Sequence, residues 1–417
     1  MKDEGGRMVT EICKAENCTG CMACMNKCPR DAISQAQNER GFYVPKIDES
    51  KCVGCGLCTQ VCPANHPAEC NGTPAVFACW NADETVRHYS TSGGMFTLFG
   101  EDILSRGGIV FGVVFDAETG VVRHQAAETA EELRAMVGSK YVQSSVGNTY
   151  RMVKEALDAG RPVLFVGTPC QCAGLKNFLG GQPENLFLID IVCHGVPSPL
   201  VLKAYLSAVA GGSRVREIHF REKNPSWELY SMKLTFDGRD EYLSDMNTDA
   251  YQRLFLANYD LNRCCHSCRY AGVSRCGDVT LGDFWGYLSE SRKLRNTDRG
   301  INLVLVNSPK GKAMLENVTP KAVCAEKTLE EAVAGNQNLS VPQSMHAESD
   351  LFWKEFLENR DLASLTALKQ PPKRQSLKHR LKLFISGHYY LMPAGLKKKY
   401  REVIYRNAER KRNKAKQ

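Results

Sequence analysis

Cysteines are the residues of this sequence most able to do chemistry, and eight of them form a repeat near the N-terminus. The repeat reads C-x2-C-x2-C-x3-C-P, and its two copies begin at Cys18 and Cys52. This spacing is typical of bacterial two-cluster ferredoxins, in which thiolates bind cubane [4Fe–4S] clusters. The fourth cysteine of each copy lies too far along the chain to close its own cluster, so it crosses to the other one. We therefore predict one cluster on Cys18, Cys21, Cys24 and Cys62, and a second on Cys52, Cys55, Cys58 and Cys28.

Zinc sites and disulfides are the two alternative explanations of these cysteines. Zinc sites commonly take two C-x2-C pairs, whereas each copy here is a triplet followed by Cys-Pro, so the spacing favours clusters. Residues 1–9 are polar and contain acids, without the apolar segment of an export signal. We therefore expect a cytoplasmic location, where cysteines stay reduced and metal ligation is favoured over disulfides.

The remainder of the chain alternates apolar runs with helical patterns, which predicts an α/β domain with a mostly buried mixed sheet. We predict strands at residues 108–115, 161–166, 186–192, 215–220, 230–236, 278–281 and 301–307, and helices at residues 95–104, 147–159 and 172–179. Two predicted strands are followed at once by cysteine-bearing segments, residues 167–171 and 193–197. A helix that begins after a strand offers free backbone N–H groups, which favour an anion or a thiolate.

Several small or polar residues near predicted helix starts and strand ends are candidates for holding a phosphate or another anion, and Lys140 could also supply a cation beside a flavin ring. These candidates are Ser92, Gly93, Gly94, Ser139, Lys140, Gly167 and Thr168. A plain helix N-cap explains the Ser-Gly-Gly segment equally well, and most lysines lie at the surface. His194 and Asp283 are weak catalytic candidates. The alternative is that His194 only supports a neighbouring metal ligand and that Asp283 lies in a turn of the core.

A further C-x2-C pair, Cys265 and Cys268, suggests a third metal site, which needs partners from elsewhere in the chain. The available partners are Cys170, Cys172, Cys193 and Cys276. The alternative is that these cysteines are simply buried, since a free cysteine packs well as a small apolar residue.

Six motifs in a fixed order carry a family resemblance: SGG, VGSKYVQS, GTPCQCAGL, DIVCHGVPSP, C-x2-C and GDVTLGDFWG. In this order, from about Cys18 to about Asn307, the chain resembles the beta-subunit family of coenzyme F420 hydrogenases and dehydrogenases. The resemblance implies an iron–sulfur flavoprotein in which a cubane passes electrons to FAD. It also implies the third-cluster ligands Cys170, Cys193, Cys265 and Cys268. The family usually has other residues at Cys172, Cys264 and Cys276, of which Cys276 is the best substitute ligand.

The resemblance predicts an oxidoreductase that takes electrons from a ferredoxin or another redox protein. They would pass through the N-terminal clusters, the third cluster and the flavin to a deazaflavin such as coenzyme F420, or to another small-molecule hydride acceptor. The alternative is an electron-transfer subunit without its own substrate, serving a partner enzyme, for example in polysaccharide biosynthesis. A regulator that binds nucleic acid is the third possibility, but no helix-turn-helix pattern supports it and we expect no nucleic-acid partner.

Positive charge is concentrated near the C-terminus. Residues 369–417 contain sixteen Lys and Arg against two acids, although the net charge of the whole chain is only +8. We predict an α+β ferredoxin-like module at residues 1–74, the α/β flavin and iron–sulfur domain at 75–340, and a helical extension with a basic tail at 341–417. The tail could contact an acidic partner or the inner face of the membrane. A solvated, partly helical tail without a specific partner is the alternative.

Overall fold

The computed structural model describes residues 11–362, 365–369, 381, 384, 385 and 388–416 of the chain. Its N-terminal part is a small α+β module built on an antiparallel hairpin of β1 (Ile33–Gln37) and β2 (Tyr43–Ile47). Two short helices, α1 (Ala23–Lys27) and α2 (Leu57–Gln60), pack against each other beside the hairpin. Each helix carries one cysteine of the repeat, Cys24 or Cys58, and the Cys-Pro that ends each copy follows soon after the helix.

An eight-stranded mixed sheet forms the centre of the larger α/β part. Its strands are β3 (Ala75–Asn81), β4 (Ile109–Asp116), β5 (Val121–Ala127), β6 (Val163–Gly167), β7 (Leu186–Ile191), β11 (Val279–Asp283), β12 (Asn302–Val306) and β13 (Ala322–Lys327). Their order is β13-β3-β12-β11-β7-β6-β4-β5, with β4, β6, β7 and β11 parallel and each of the others antiparallel to its neighbours. The predicted α/β fold with a mixed sheet is confirmed.

Helices cover both faces of this sheet, because successive residues of a strand point to opposite sides. The helices around this sheet are α3 (Glu84–Tyr89), α4 (Met95–Ser105), α5 (Ala130–Met136), α6 (Thr149–Asp158), α7 (Pro169–Leu179), α10 (Pro309–Val318) and α11 (Leu329–Gly335). In β6, Val163 and Phe165 pack with α6 and α7, whereas Leu164 packs with α4, α5 and α10. The N-terminal module joins the α6–α7 core, so it lies on that face of the sheet.

A second, three-stranded antiparallel sheet adds a separate apolar core. It contains β8 (Val215–Glu222), β9 (Ser231–Phe236) and β10 (Tyr242–Asp245), in the order β10-β9-β8. The helices that contribute to this core are α8 (Pro199–Ala210), α9 (Ala250–Leu256) and α12 (Ser349–Asn359), and the short α13 (Thr366–Lys369) packs at its edge. The strands predicted at residues 215–220 and 230–236 therefore belong to this sheet rather than to the central one.

The predicted helical extension ends in a long basic helix, α14 (Ala394–Lys416). The start of this helix is docked rather than free, because Lys397 Nζ lies 2.7 Å from Glu290 Oε2 and Arg401 pairs with the same carboxylate. Tyr389 is buried beneath these two cations, which lie over its ring. Within the described residues, no helix is both long and apolar enough to cross a membrane.

Candidate functional site

The first copy of the cysteine repeat surrounds a cavity in the N-terminal module. Its lining cysteines include the four predicted ligands of the first cluster, Cys18, Cys21, Cys24 and Cys62. Burial, together with the neighbouring Cys62 and Cys18 thiols, raises the pKa of Cys21 to about 12. Four thiolates in one cavity repel one another unless positive charge lies between them. The iron ions of a cluster would supply that charge, so the donor set fits a cubane.

The second cavity of the module is lined by Cys28, Cys52, Cys55 and Cys58, the predicted ligands of the second cluster. Gly54 and Gly56 have positive φ angles of 65° and 73°, which let the backbone wrap tightly between these cysteines. Cys55 is exposed, so this cavity lies at the surface of the protein. The structure thus brings both predicted groups of four together, with one cysteine of each group contributed by the other copy.

A cubane cluster and a single metal ion require different arrangements of their protein ligands. Among the described residues, no group of three or more His, Cys, Asp or Glu side chains converges closely enough to hold one metal ion. A cubane places iron at four corners and holds its four cysteines further apart than one ion would. The finding on single ions therefore does not bear on cluster sites.

A third cavity lies where the α/β part meets the module. Its lining includes the four ligands that the family resemblance implies, Cys170, Cys193, Cys265 and Cys268. Cys170 sits in the first turn of α7, Cys193 follows β7, and the other two lie in and after the 3-10 turn Arg263–Ser267. Burial, together with the nearby Cys265 and Cys268, raises the pKa of Cys193 to about 12. This donor set also fits a cubane.

Gly195 permits close packing in the wall of this cavity, because it has a φ of +132° and no side chain to collide with Leu261 and Cys265. A Cβ atom there would lie 2.8 Å from Leu261 Cδ1 and 3.3 Å from Cys265 Cβ. The cysteine after β7 and the Cys-x2-Cys segment can therefore approach one another.

The three remaining cysteine candidates differ in their surroundings. Cys264 lines the third cavity and hydrogen-bonds with Cys265. Cys172 is fully buried, and its thiol donates to the Ile189 carbonyl over 3.7 Å. Cys276 is not among the residues lining the third cavity, and its Sγ lies 2.8 Å from Cys70 Sγ.

A larger cavity of about 490 Å³ opens at the ends of β6, β7 and β11. Of the predicted cofactor-binding residues it is lined by Ser92, Gly94, Ser139, Lys140, Gly167 and Thr168. Gly93 lies behind the wall, where a Cβ atom would be 2.6 Å from the Cys79 carbonyl oxygen. The volume falls in the usual range for cofactor sites, so a flavin fits here in size.

The Ser-Gly-Gly segment positions the N-terminus of α4 at this cavity. Ser92 donates from Oγ to the Ile301 carbonyl over 2.9 Å, and Gly94 takes a positive φ of 84° as the residue before the helix. The Met95 amide donates to Asn302 Oδ1 over 3.1 Å. The segment is thus the helix N-cap, and at the same time it forms part of the cavity wall.

Lys140 borders the cavity, but its amino group is directed toward the end of α5. Its Nζ donates to the carbonyls of Ala135, Met136 and Val137 over 3.2, 2.9 and 3.0 Å. Burial lowers the pKa of Lys140 to about 7. The side chain therefore caps a helix C-terminus and meets the cavity with its aliphatic stem.

Both weak catalytic candidates also line this cavity, and both already have partners. His194 Nε2 lies 2.7 Å from Asn258 Oδ1, and burial lowers its pKa. Asp283 accepts a hydrogen bond from Trp227 Nε1 over 2.9 Å and forms a buried ion pair with Arg221. Arg221 was not among the predicted site residues, because it lies in a charged stretch of β8 without a recognisable motif. Its side chain adds a cation to the cavity wall.

The four cavities follow one another through the molecule. Helices α1 and α2 each carry a cysteine of one cavity of the module and precede a cysteine of the other. The third cavity is lined on one side by Thr19 and Pro63, the direct neighbours of the first-cavity cysteines Cys18 and Cys62. On its other side it shares Cys193 and the following residues with the large cavity.

Comparison with known proteins gives three matching family models, all within the described region. Residues 17–66 match a 4Fe-4S dicluster domain. Residues 76–149 and 160–332 match the N-terminal and C-terminal models of the coenzyme F420 hydrogenase/dehydrogenase beta subunit. Among solved structures, the F420-reducing [NiFe] hydrogenase complex from Methanosarcina barkeri contains a chain with 16% identity and a TM-score of 0.42, covering 70% of this chain and 90% of that chain. No curated protein matches.

Proposed function

Because this chain belongs to the coenzyme F420 hydrogenase/dehydrogenase beta-subunit family and carries a 4Fe-4S dicluster domain, we propose an iron–sulfur flavoprotein oxidoreductase. In this proposal it passes electrons from the ferredoxin module, through a third [4Fe–4S] cluster, to FAD and then to a hydride acceptor. The observation that carries the proposal is the succession of four cavities, three of them lined by cysteines.

The chain's own residues would hold each group. The eight cysteines of the repeat would hold two clusters, and Cys170, Cys193, Cys265 and Cys268 a third. A cubane exchanges single electrons, and a flavin collects two of them and exchanges hydride. The four cysteines of the third site are half-buried, and Cys193 lines both this site and the large cavity.

The large cavity is our proposed flavin site, with Ser92, Gly94, Ser139, Gly167 and Thr168 in its wall. The Thr168 hydroxyl lies 3.2 Å from Cys170 Sγ, so one residue borders the flavin site and contacts a proposed cluster ligand. This shared border is what a short path from cluster to flavin requires. The proposed acceptor beyond the flavin is a deazaflavin such as coenzyme F420, which the family name carries.

Electrons would enter at the second cluster, because Cys55 places that site at the surface. A ferredoxin or another redox protein is the proposed donor. We propose the domain limits 1–74, 75–340 and 341–417, with the basic tail free to contact an acidic partner or an anionic membrane beyond the part held by Glu290.

The proposal is tested by breaking the third site while the flavin site stays intact. In a Cys193→Ser variant purified without oxygen, about four irons per chain should be lost, and bound flavin should no longer be reduced by a reduced ferredoxin. Cys172→Ser is the matched control, since Cys172 is a buried cysteine of the α/β part whose thiol donates to the Ile189 carbonyl and does not line the third cavity. Normal flavin reduction in Cys193→Ser would contradict the proposed path.

An electron-transfer subunit without its own substrate is the second candidate. The wild-type chain alone decides between them, with reduced ferredoxin as donor and coenzyme F420 as acceptor. Reduction of the acceptor supports the flavoenzyme. Reduced flavin that persists beside added acceptor supports a subunit that serves a partner enzyme.

A further inference from the structure

Two cysteines outside all four cavities meet across the boundary between the module and the α/β part. Cys70 lies in the segment that joins the module to β3, and Cys276 lies just before β11. Although far apart in the sequence, their Sγ atoms are 2.8 Å apart. Sulfur atoms in a disulfide are about 2.05 Å apart, so only a small movement separates this pair from a bond.

Backbone contacts on both sides of the sulfur pair hold it in place. The Asn71 amide donates to the Arg275 carbonyl over 2.8 Å, and Asn71 Nδ2 donates to the Gly277 carbonyl over 2.9 Å. Ser274 donates from Oγ to the Asn71 carbonyl over 2.8 Å. Asn71, the residue after Cys70, is thus hydrogen-bonded to residues on both sides of Cys276. These hydrogen bonds hold the two cysteines close together.

The two thiols have unequal access and unequal acidity, as an attacking and a resolving cysteine require. Cys70 is half-buried, whereas Cys276 is fully buried. The hydrogen bond from Cys276 lowers the pKa of Cys70 to about 7, with further help from Lys176 and Arg275. Lys176 is held nearby, because its Nζ donates to the Glu69 carbonyl over 2.7 Å.

We propose that Cys70 and Cys276 form a redox-active dithiol that closes to a disulfide by exchange with a small-molecule disulfide such as oxidised glutathione. The Cys70 thiolate attacks one sulfur of the reagent, and one glutathione thiolate leaves. Cys276 then loses its proton to water and attacks the Cys70 sulfur of the mixed disulfide, which releases the second glutathione thiolate. The two cysteines lose two electrons, and the reagent gains them.

The disulfide would link the segment that leaves the ferredoxin module to the start of β11, a strand whose far end borders the large cavity. Glu69 to Asn71 would then be fixed covalently as well as through hydrogen bonds. This site goes beyond the proposed electron path, because neither cysteine lines a cavity assigned to a cluster or to the flavin.

The test uses the whole wild-type protein, purified without oxygen and incubated in buffers of graded ratio of oxidised to reduced glutathione. After alkylation and digestion, mass spectrometry should find the peptide of Cys276 linked to that of Cys70, and alkylated Cys276 should disappear as the ratio rises. Cys324→Ser is the matched control, because it removes another paired thiol, opposite Cys79, and should leave the Cys70–Cys276 link unchanged.

Two results would overturn the proposal. One is recovery of both peptides alkylated, or each carrying its own glutathione, at the most oxidising ratio. The other is a Cys276→Ser variant that folds but loses about four irons, since Cys276 would then be a cluster ligand. The two proposals fail separately: unchanged iron content in Cys193→Ser would contradict the third cluster, whereas formation of the Cys70–Cys276 disulfide in wild type would still support the dithiol.

Discussion

Behind the proposed third cluster site, Arg275 and Asp190 form a buried ion pair. The two side chains are 1% and 0% exposed, and Arg275 Nη2 lies 3.0 Å from Asp190 Oδ1. Thr280 Oγ1 and the Gly277 amide donate to the same carboxylate over 2.6 and 3.0 Å. Such a pair does not stabilise a fold strongly by itself, but either partner left alone is costly.

We therefore expect Arg275→Met to lower the free energy of unfolding by about 3–5 kcal/mol, because the Asp190 carboxylate stays buried without its cation. Thermal unfolding under anaerobic conditions measures the change. Arg299→Met is the control, since Arg299 pairs with Glu84 at the surface and such pairs contribute about 0–1 kcal/mol. Equal effects of the two substitutions would contradict the role of the buried pair.

Asp260 is a second buried acid, and both its carboxylate oxygens lack a hydrogen-bond partner among the described residues. Burial raises the pKa of Asp260 to about 7. In the unfolded chain the pKa of an aspartate is about 3.9. The folded state therefore binds the proton more tightly, and this group favours folding below pH 4 and loses that contribution as the pH rises to 7.

Asp260→Asn should accordingly raise the melting temperature more at pH 8 than at pH 5. At pH 8 the substitution replaces a buried charged carboxylate by a neutral amide, whereas at pH 5 the carboxyl group is already neutral. Melting temperatures of wild type and variant at both pH values give the comparison. The exposed Asp240→Asn substitution should show little change at either pH. A gain of the same size at pH 5 and pH 8 would show that Asp260 does not titrate in this range.

At the residue scale, spacing was enough to group the cysteines of the repeat. Three evenly spaced cysteines and a Cys-Pro leave few ways to arrange ligands, and the structure gathers the groups of four around separate cavities. Cys13 and Cys70 had no such signal, because each is isolated in the sequence and acquires its thiol neighbours only through folding. The Arg221 side chain was missed for the same reason.

At the scale of elements, helix α7 links the third cavity to the ferredoxin module. Its first turn carries Cys170, and further along Gly174 faces the module. A Cβ atom on Gly174 would lie 2.9 Å from Cys21 Sγ and 3.0 Å from the Tyr150 hydroxyl oxygen. A glycine at this helical position therefore permits the close contact between α7 and the first cluster site.

Gly174→Ala should disturb the first cluster site, because the added methyl group meets a ligand sulfur and a buried hydroxyl that cannot easily move. We expect a lower iron content and a lower melting temperature. The free energy of unfolding should fall by about 1–3 kcal/mol, as it does in overpacked cores. Gly272→Ala is the matched control, since no atom lies within 4 Å of its Cβ position. Iron content equal to wild type in Gly174→Ala would refute the tight packing.

The elements that sequence patterns revealed best are the buried parallel strands. Apolar runs at β4, β6 and β7 were predicted within two residues of their observed ends, because a strand covered on both faces must be apolar throughout. The strands β5 and β13 lie at the two edges of the sheet and carry polar residues, so they gave no such run. Strand β3 was missed because it directly follows a segment that resembles a linker.

For the molecule as a whole, the ferredoxin-like module, the mixed sheet and the basic C-terminal helix were foreseen from motif and composition. Their mutual placement was not, because it depends on contacts between distant residues. Arg151, for example, donates to the carbonyls of Asn26 and Cys28 over 2.9 Å each and so ties α6 to the module. Such contacts leave no periodic trace in a sequence.

The docked start of α14 also depends on such a contact. Composition assigned the whole tail to a solvated or partner-bound segment, yet Lys397 and Arg401 share Glu290 with each other and enclose Tyr389. The net charge of a segment is a sum over all its residues, so it does not identify the acidic residue with which particular cations of the segment pair. The part of α14 beyond this contact remains our proposed surface for an acidic partner or membrane.

We propose that one chain holds three clusters and a flavin in succession. Iron, acid-labile sulfide and flavin should be quantified on a single sample purified without oxygen. We expect about twelve irons per chain, as three cubanes require, with one FAD. About eight irons and no flavin would contradict it, and would leave the ferredoxin module as the sole redox centre of the chain.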